Sequence, residues 1–300
     1  MLKAIKILTI TVIVLFIADK LAYTVLFKMS NNVQRGQLVG KLNQFLFLNE
    51  KDPFEVVILG SSRANHHINP EFISSHGYNM GLDGQKLRFH FGVLHMLDAS
   101  EQTVILHLDP EELIGAPKPF ENEVMRLSLH YFDNDSIKDY IDDNSVKEKV
   151  LNHMFMTRVF NGKLFSILSN YNKKAKKNYN GYDPLVGDFC YNGDPEESLT
   201  STRFNSEKVN IISDFIGCGI AKNKRIIIYS SPKYNDSSKE DNLQLQKLMD
   251  EFNVEYWDFT DAITSTNCRY WKDNVHLSSE GANKFNNLFK EKFENTSVNF

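Results

Sequence analysis

From residue 53 onward, short apolar runs alternate with amphipathic segments. The apolar runs have the length of strands and lie at residues 55–60, 77–81, 103–109, 225–232 and 254–259. Between them, apolar residues recur at helical spacing in segments 86–99, 206–223, 242–253 and 278–293. Strands that alternate with helices indicate a parallel sheet covered by helices on both faces. The pattern therefore predicts a three-layer α/β/α domain over residues 53–300, with about five parallel strands.

Two segments depart from this alternation. Residues 115–200 are rich in Asn, Asp, Tyr and Lys and contain helical patches, so we expect a largely helical insertion or lid there. Residues 28–52 are polar and mixed, and they end in Glu-Lys-Asp-Pro. We interpret them as a linker with some helix.

The N-terminal 27 residues form the most apolar stretch of the chain. Lys3 and Lys6 precede an uncharged run from Ile7 to Ala18, a pattern shared by membrane anchors and signal peptides. No A-x-A cleavage site follows, which favours an uncleaved anchor over a signal peptide, and a buried helix is the third alternative. With the lysines on the cytoplasmic side, residues 28–300 would lie outside the cytoplasm, in the bacterial periplasm or at the cell surface.

Composition restricts the classes of function. The net charge of −4 gives no basic field for nucleic acid. The three cysteines are odd in number and form no CxxC, so a disulfide framework or a zinc site is not expected, although one disulfide is possible. The adjacent His66 and His67 have no carboxylate or cysteine at metal-ligand spacing. The sequence therefore implies neither a metal nor an organic cofactor.

The residues suited to chemistry lie near the two ends of the predicted domain. Ser61 and Ser62 follow the first strand, where sites form in parallel sheets. A serine hydroxyl becomes a good nucleophile when a base takes its proton. Asp273 and His276 are three residues apart between the fifth strand and the last helix, a spacing at which a carboxylate can orient an imidazole. The sequence thus predicts a Ser-His-Asp triad.

This arrangement resembles the SGNH (GDSL-like) hydrolase superfamily, which has a flavodoxin-like fold. The first family block, Gly-Asp-Ser, corresponds here to Gly60-Ser61-Ser62, with Ser62 at the nucleophile position. The family's Asp-x-x-His block corresponds to residues 273–276. The resemblance implies that the N–H groups of Ser62 and Gly84 stabilise the oxyanion, with Gly81 as the reserve.

One family block departs from the pattern. The family places an asparagine after the third strand as an oxyanion donor, whereas this chain has Asp109 in that region. A carboxylate repels a developing oxyanion, and the loss of one such donor costs on the order of 3 kcal/mol in the barrier. Arg63 and Asn65 are candidate compensating donors on the nucleophile loop.

The resemblance is strongest to membrane-anchored cell-envelope relatives with a GSS-type first block. It implies a serine-dependent acyl-ester hydrolase or O-acyltransferase that acts on a cell-envelope glycan. Its partners would be an acylated glycan or acyl donor, the membrane through the N-terminal helix, and an envelope assembly partner. The alternative is a non-catalytic glycan-binding or assembly subunit with the same scaffold. A nucleotide-binding protein is disfavoured because the chain has no GxGxxG or GxxxxGK[ST] loop.

Overall fold

In a computed structural model of the protein, five parallel strands form one sheet in the order β2-β1-β3-β4-β5. The model describes residues 1–174, 180–190, 203–234, 239–264 and 267–297. The strands are β1 Val56–Leu59, β2 Gly77–Asn79, β3 Gln102–His107, β4 Lys224–Ser230 and β5 Glu255–Asp258. Each of the five expected apolar runs overlaps a strand, and β3 and β4 begin one residue before their runs. The predicted three-layer α/β fold is confirmed.

The strands read as continuous apolar runs because both faces of the sheet are covered. Ile227 and Tyr229 in β4 belong to the cluster that contains Phe285 and Phe289. Ile226, which points to the opposite face, lies against Gly219, where an added Cβ would come within 2.5 Å of its Cδ1 atom. Helices therefore pack closely on both sides of β4.

The α-helices that follow the strands of the sheet-containing unit are α3 Ser62–His67, α4 Leu87–Met96, α9 Ser206–Ala221, α10 Lys239–Glu251 and α11 Ser279–Ser297. Helices α4, α9, α10 and α11 overlap the four predicted helical segments, and α3 is an additional short helix that was not predicted. Helix α4 packs against α9, and α11 packs against α3. This unit comprises Leu48–Lys118 and Lys177–Phe300.

The second unit is helical and comprises Met1–Phe47 and Pro119–Lys176. Its helices are α1 Leu2–Asn31, α2 Lys41–Lys51 (which extends beyond the unit), α5 Phe120–Val124, α6 Asp135–Asn144, α7 Val146–Met154 and α8 Leu164–Asn170. Tyr23 of α1 contacts the rings of Phe132 and Phe160, with centroid distances of 5.1 and 5.7 Å. Residues from both ends of the unit thus share one small core.

The predicted anchor, linker and insertion boundaries stay predictions, and helix α1 crosses the first of them. Helix α1 continues past residue 27 to Asn31, and α2 begins at Lys41 within the predicted linker. Helix α1 is long and apolar enough to cross a membrane. That property is shared by anchors and signal sequences.

Candidate active site

Ser62 begins helix α3 directly after the carboxyl end of β1. Gly60 forms the turn at a φ of +138°, and an added Cβ there would lie 2.6 Å from the Cβ of His107. A glycine is therefore required both by the backbone conformation and by the close approach of β3. Ser61 occupies the helix N-cap, and Ser62 is the first helical residue. Its N–H belongs to the first turn of the helix, which lacks intrahelical acceptors.

His276 contacts both of the residues with which it was expected to act. Its Nε2 atom lies 2.7 Å from the Oγ of Ser62, and its Nδ1 lies 2.9 Å from Oδ2 of Asp273. Because a carboxylate only accepts hydrogen bonds, Nδ1 carries the ring proton and Nε2 accepts from the serine hydroxyl. This is the protonation state in which an imidazole can take a proton from serine.

Asp273 is fixed by the loop that carries it. Its Oδ1 accepts hydrogen bonds from the backbone N–H groups of Val275 and His276, at 2.9 and 2.8 Å. Burial raises the pKa of the Asp273 carboxyl, but the hydrogen bonds from His276 and from these N–H groups outweigh it and lower the pKa overall. The hydrogen bonds therefore favour the ionised carboxylate.

Gly81 and Gly84, the two glycines expected near the oxyanion, differ in their hydrogen bonding and packing. The N–H of Gly81 donates to Oδ1 of Asn79 at 2.8 Å, and an added Cβ would lie 2.6 Å from the Asn65 nitrogen. Gly81 is thus a packing residue whose N–H is already bonded. Gly84 is exposed and has a φ of +70°, and an added Cβ there would meet nothing within 4 Å. Gly84 therefore has no packing constraint comparable to that of Gly81.

Arg63 pairs with the aspartate that replaces the family asparagine. Its guanidinium forms an ion pair with the carboxylate of Asp109, which is 3% exposed, and its Nη1 lies 3.4 Å from the Ser231 carbonyl. The negative charge expected to repel an oxyanion is therefore neutralised within the site. Asn65, the other candidate donor, donates its amide to Asp83 at 2.9 Å. Both side chains bind carboxylates.

His66 lies between two acceptors, which the sequence did not indicate. Its Nδ1 is 2.5 Å from the carbonyl oxygen of Asp183, and its Nε2 is 3.1 Å from the Asp83 carboxylate. Burial lowers the pKa of His66, but the hydrogen bonds to Asp83 and Asp183 outweigh it and raise the pKa overall. The ring lies 5.6 Å from that of His276, between centroids. The two acceptors thus favour the protonated form of the His66 ring beside the proposed base.

His67 belongs to a buried chain of hydrogen bonds beneath α3. Its Nε2 accepts from the N–H of Leu277 at 3.0 Å, so the ring proton is on Nδ1, which faces Oγ of Ser231 at 3.2 Å. The Ser231 hydroxyl in turn lies 3.2 Å from Nε2 of His107. Burial, with the nearby Arg63 charge, holds the pKa of both histidines well below the ordinary value. Neutral His67 therefore binds the residue that follows His276.

His107, Asp109 and Glu112 place three metal-ligand atoms within 4.8 Å of one another. The Asp109 carboxylate, however, already binds the guanidinium of Arg63, and His107 faces the Ser231 hydroxyl. A cation at this position would have to displace the arginine charge. The donor set fits the ion pair better than a metal.

A disulfide joins Cys190 to Cys268, with the Cα atoms 4.9 Å apart. One disulfide was a possibility left open by the sequence. Cys268 lies five residues before Asp273, and Cys190 ends the described segment 180–190. That segment also bonds to the site, since the carbonyl of Leu185 accepts from the N–H of Ser279 at 2.6 Å. The disulfide thus tethers the loop that carries the Asp-His pair.

Comparison with solved structures finds a protein from Bacteroides fragilis, described provisionally as an acylhydrolase. Its crystal structure is 14% identical to this chain, with a TM-score of 0.41, and the match covers 85% of this chain and 96% of the other. No protein-family model matches the sequence. No curated protein matches it either.

Proposed function

We propose that this chain is a serine-dependent acyl-ester hydrolase or O-acyltransferase. The observation that supports this most directly is the 2.7 Å contact between the Ser62 hydroxyl and the His276 imidazole, with Asp273 on the other ring nitrogen. A base oriented by an acid and bonded to a serine is the arrangement that activates a hydroxyl for attack on an acyl carbon.

The proposed reaction has two half-reactions. Ser62 Oγ bonds to the acyl carbon as His276 removes its proton, and the resulting oxyanion accepts hydrogen bonds from the N–H groups of Ser62 and Gly84. The ester C–O bond then breaks, and His276 returns the proton to the leaving oxygen. In the second half, a water or sugar hydroxyl gives its proton to His276 and bonds to the acyl carbon. The acyl C–Oγ bond then breaks as His276 returns the proton to Ser62 Oγ, which releases the acid or the new ester and restores the serine.

We propose that the site lies outside the cytoplasm and acts on a cell-envelope glycan. The apolar helix α1 supports membrane attachment, and Lys3 and Lys6 favour a cytoplasmic N-terminus. The Cys190–Cys268 disulfide is of a kind that persists in oxidising compartments. This proposal includes an acylated glycan, an acyl donor and an envelope assembly partner. Its central chemical step is the formation of the acyl-serine.

Release of nitrophenol from a short acyl-nitrophenyl ester measures the first half-reaction, which hydrolysis and transfer share. The full chain in detergent micelles is expected to turn over this ester, with loss of at least about a thousandfold in Ser62→Ala and His276→Ala. Ser61→Ala, at the neighbouring hydroxyl, is the matched control and should keep most of the rate. Equal rates in the wild type and both triad variants would reject the triad in favour of a non-catalytic binding subunit.

A further inference from the structure

Helix α7 presents apolar residues to solvent and polar residues to the interior. Val146, Val150 and Met154, four residues apart along one face, are 74%, 49% and 50% exposed. Glu148 and Asn152, on the opposite face, are buried. A surface helix of a soluble protein has the reverse arrangement, with the apolar stripe inward.

The inward polar face of α7 is held by an ion pair and a hydrogen bond with Arg158. Arg158 forms a two-point ion pair with the Glu148 carboxylate, with Nη2 at 2.7 Å from Oε1, and its Nη1 lies 3.2 Å from the Asn152 side chain. A buried charge is costly unless it is paired in this way. These bonds fix the rotation of α7, and that rotation exposes the three apolar residues.

Neighbouring elements of the helical unit expose further apolar side chains. Phe155 directly follows α7 and is 51% exposed, and Phe165 on α8 is 84% exposed. Leu164 and Leu168 of α8 are exposed as well. We call these residues of α7 and α8 the apolar collar: Val146, Val150, Met154, Phe155, Leu164, Phe165 and Leu168.

The end of α7 lies beside the point where the uncharged part of α1 ends. The Asp19 carboxylate accepts hydrogen bonds from the backbone N–H groups of Met156 and Thr157, at 2.8 and 3.1 Å. Lys20 Nζ lies 3.3 Å from the carbonyl of His153. The charged pair that interrupts the N-terminal apolar run therefore binds the turn next to Met154 and Phe155. Helix α8 also packs against α1.

The length of the apolar run brings this junction to the membrane surface. The uncharged run from Ile7 to Ala18 rises about 18 Å, and the helix from Leu2 to Ala18 rises about 25 Å, against roughly 30 Å of hydrocarbon in a bilayer. Lys3 and Lys6, near the helix end, can extend their charges to the cytoplasmic headgroups. Asp19, bonded within the helical unit, would then lie at the edge of the hydrocarbon. Residues beside Asp19 would be at the depth of the headgroups, where exposed Phe and Leu are favourable.

We propose that the apolar collar inserts into the interfacial region of the bilayer that α1 enters, so that the helical unit rests on the membrane. The proposal rests on the membrane anchor included in the proposed function. Its occupant is lipid, because the turn that follows α7 binds Asp19 and α8 packs against α1, the helix that enters the bilayer. A protein partner would cover the collar independently of the bilayer and is an outcome of the test below.

The test uses the full chain carrying Cys218→Ser, reconstituted in vesicles of phosphatidylcholine and phosphatidylglycerol. Single cysteines are introduced at Ile10, Val150, Phe165 or Asp139, and each receives an environment-sensitive fluorophore. Brominated lipids quench fluorophores that contact acyl chains. Ile10 reports on the anchor, Val150 and Phe165 report on the collar, and exposed Asp139 on α6 is the matched polar control.

We expect strong quenching at Ile10 and, at Val150 and Phe165, quenching several-fold above that at Asp139. Phe165→Glu with Leu168→Glu should reduce quenching at Val150 toward the Asp139 level without changing Ile10. Quenching at Ile10 with none above control at the collar would overturn the proposal while the anchor stands; in that case the collar serves a protein partner. No quenching at Ile10 would refute the anchor itself and the collar with it.

Discussion

The Arg63–Asp109 ion pair gives the sharpest prediction about the site's energetics. Arg63→Met leaves the Asp109 carboxylate, 3% exposed, without its counter-ion. Removing one partner of a buried pair costs about 3–5 kcal/mol, because the remaining charge stays desolvated. Replacing both by apolar residues, Arg63→Met with Asp109→Leu, removes both charges and should cost less than either single change. We therefore expect strong coupling in the double-mutant cycle.

Urea unfolding of the full chain in micelles, followed by tryptophan fluorescence, measures these free energies. The two tryptophans, Trp257 and Trp271, both lie in the sheet-containing unit, so the signal reports on the unit that contains the pair. The loss of unfolding free energy in Arg63→Met should also become smaller as the pH falls. Without the guanidinium the Asp109 pKa rises above its unfolded value, so the penalty is absent at low pH and appears as the pH rises through the folded pKa.

Additive free energies in the cycle would refute this account of Asp109. So would an Arg63→Met deficit that is the same at pH 8 and pH 5. Either result would mean that the carboxylate is not held ionised by the arginine. The replacement of the family asparagine would then need another explanation.

Three further predictions concern the surroundings of the site. His67→Phe keeps an aromatic ring but leaves the backbone N–H of Leu277 without its acceptor. It should lower the free energy of unfolding in urea by about 1–3 kcal/mol and slow ester turnover, whereas His67→Gln should lose less of both. Because His67 and His107 are neutral when folded, stability should fall as the pH drops below about 6.5, where the unfolded chain takes up protons, and His67→Phe should flatten that slope between pH 7.5 and 5.5. Replacing Cys190 and Cys268 with serine should cost about 4 kcal/mol, since the disulfide closes a loop of 78 residues, and Cys218→Ser is the control that should change little.

The sheet was predictable because strands covered on both faces must be apolar throughout. The meeting of Ser62 and His276 was predictable for a related reason. Both follow strands of one parallel sheet, and the carboxyl ends of parallel strands share an edge. Sequence separation was therefore no obstacle to placing residues 214 positions apart at one site.

The partners of the charged and buried side chains were not predictable. Arg63 was a candidate oxyanion donor, and nothing in its local sequence indicated that its guanidinium would bind the carboxylate of Asp109, which follows β3. His66 and His67 are adjacent in sequence, yet one faces two acceptors and the other accepts an N–H. Such differences depend on which segments pass nearby in the fold, and no local spacing encodes them.

The most direct test of the central claim is the trapping of the nucleophile. The full chain is treated with a fluorophosphonate, digested and mapped by mass spectrometry. We predict one adduct on Ser62, formed much more slowly in His276→Ala. An adduct on Ser61, an adduct whose rate is unchanged by His276→Ala, or no adduct at all would contradict the claim that His276 activates Ser62.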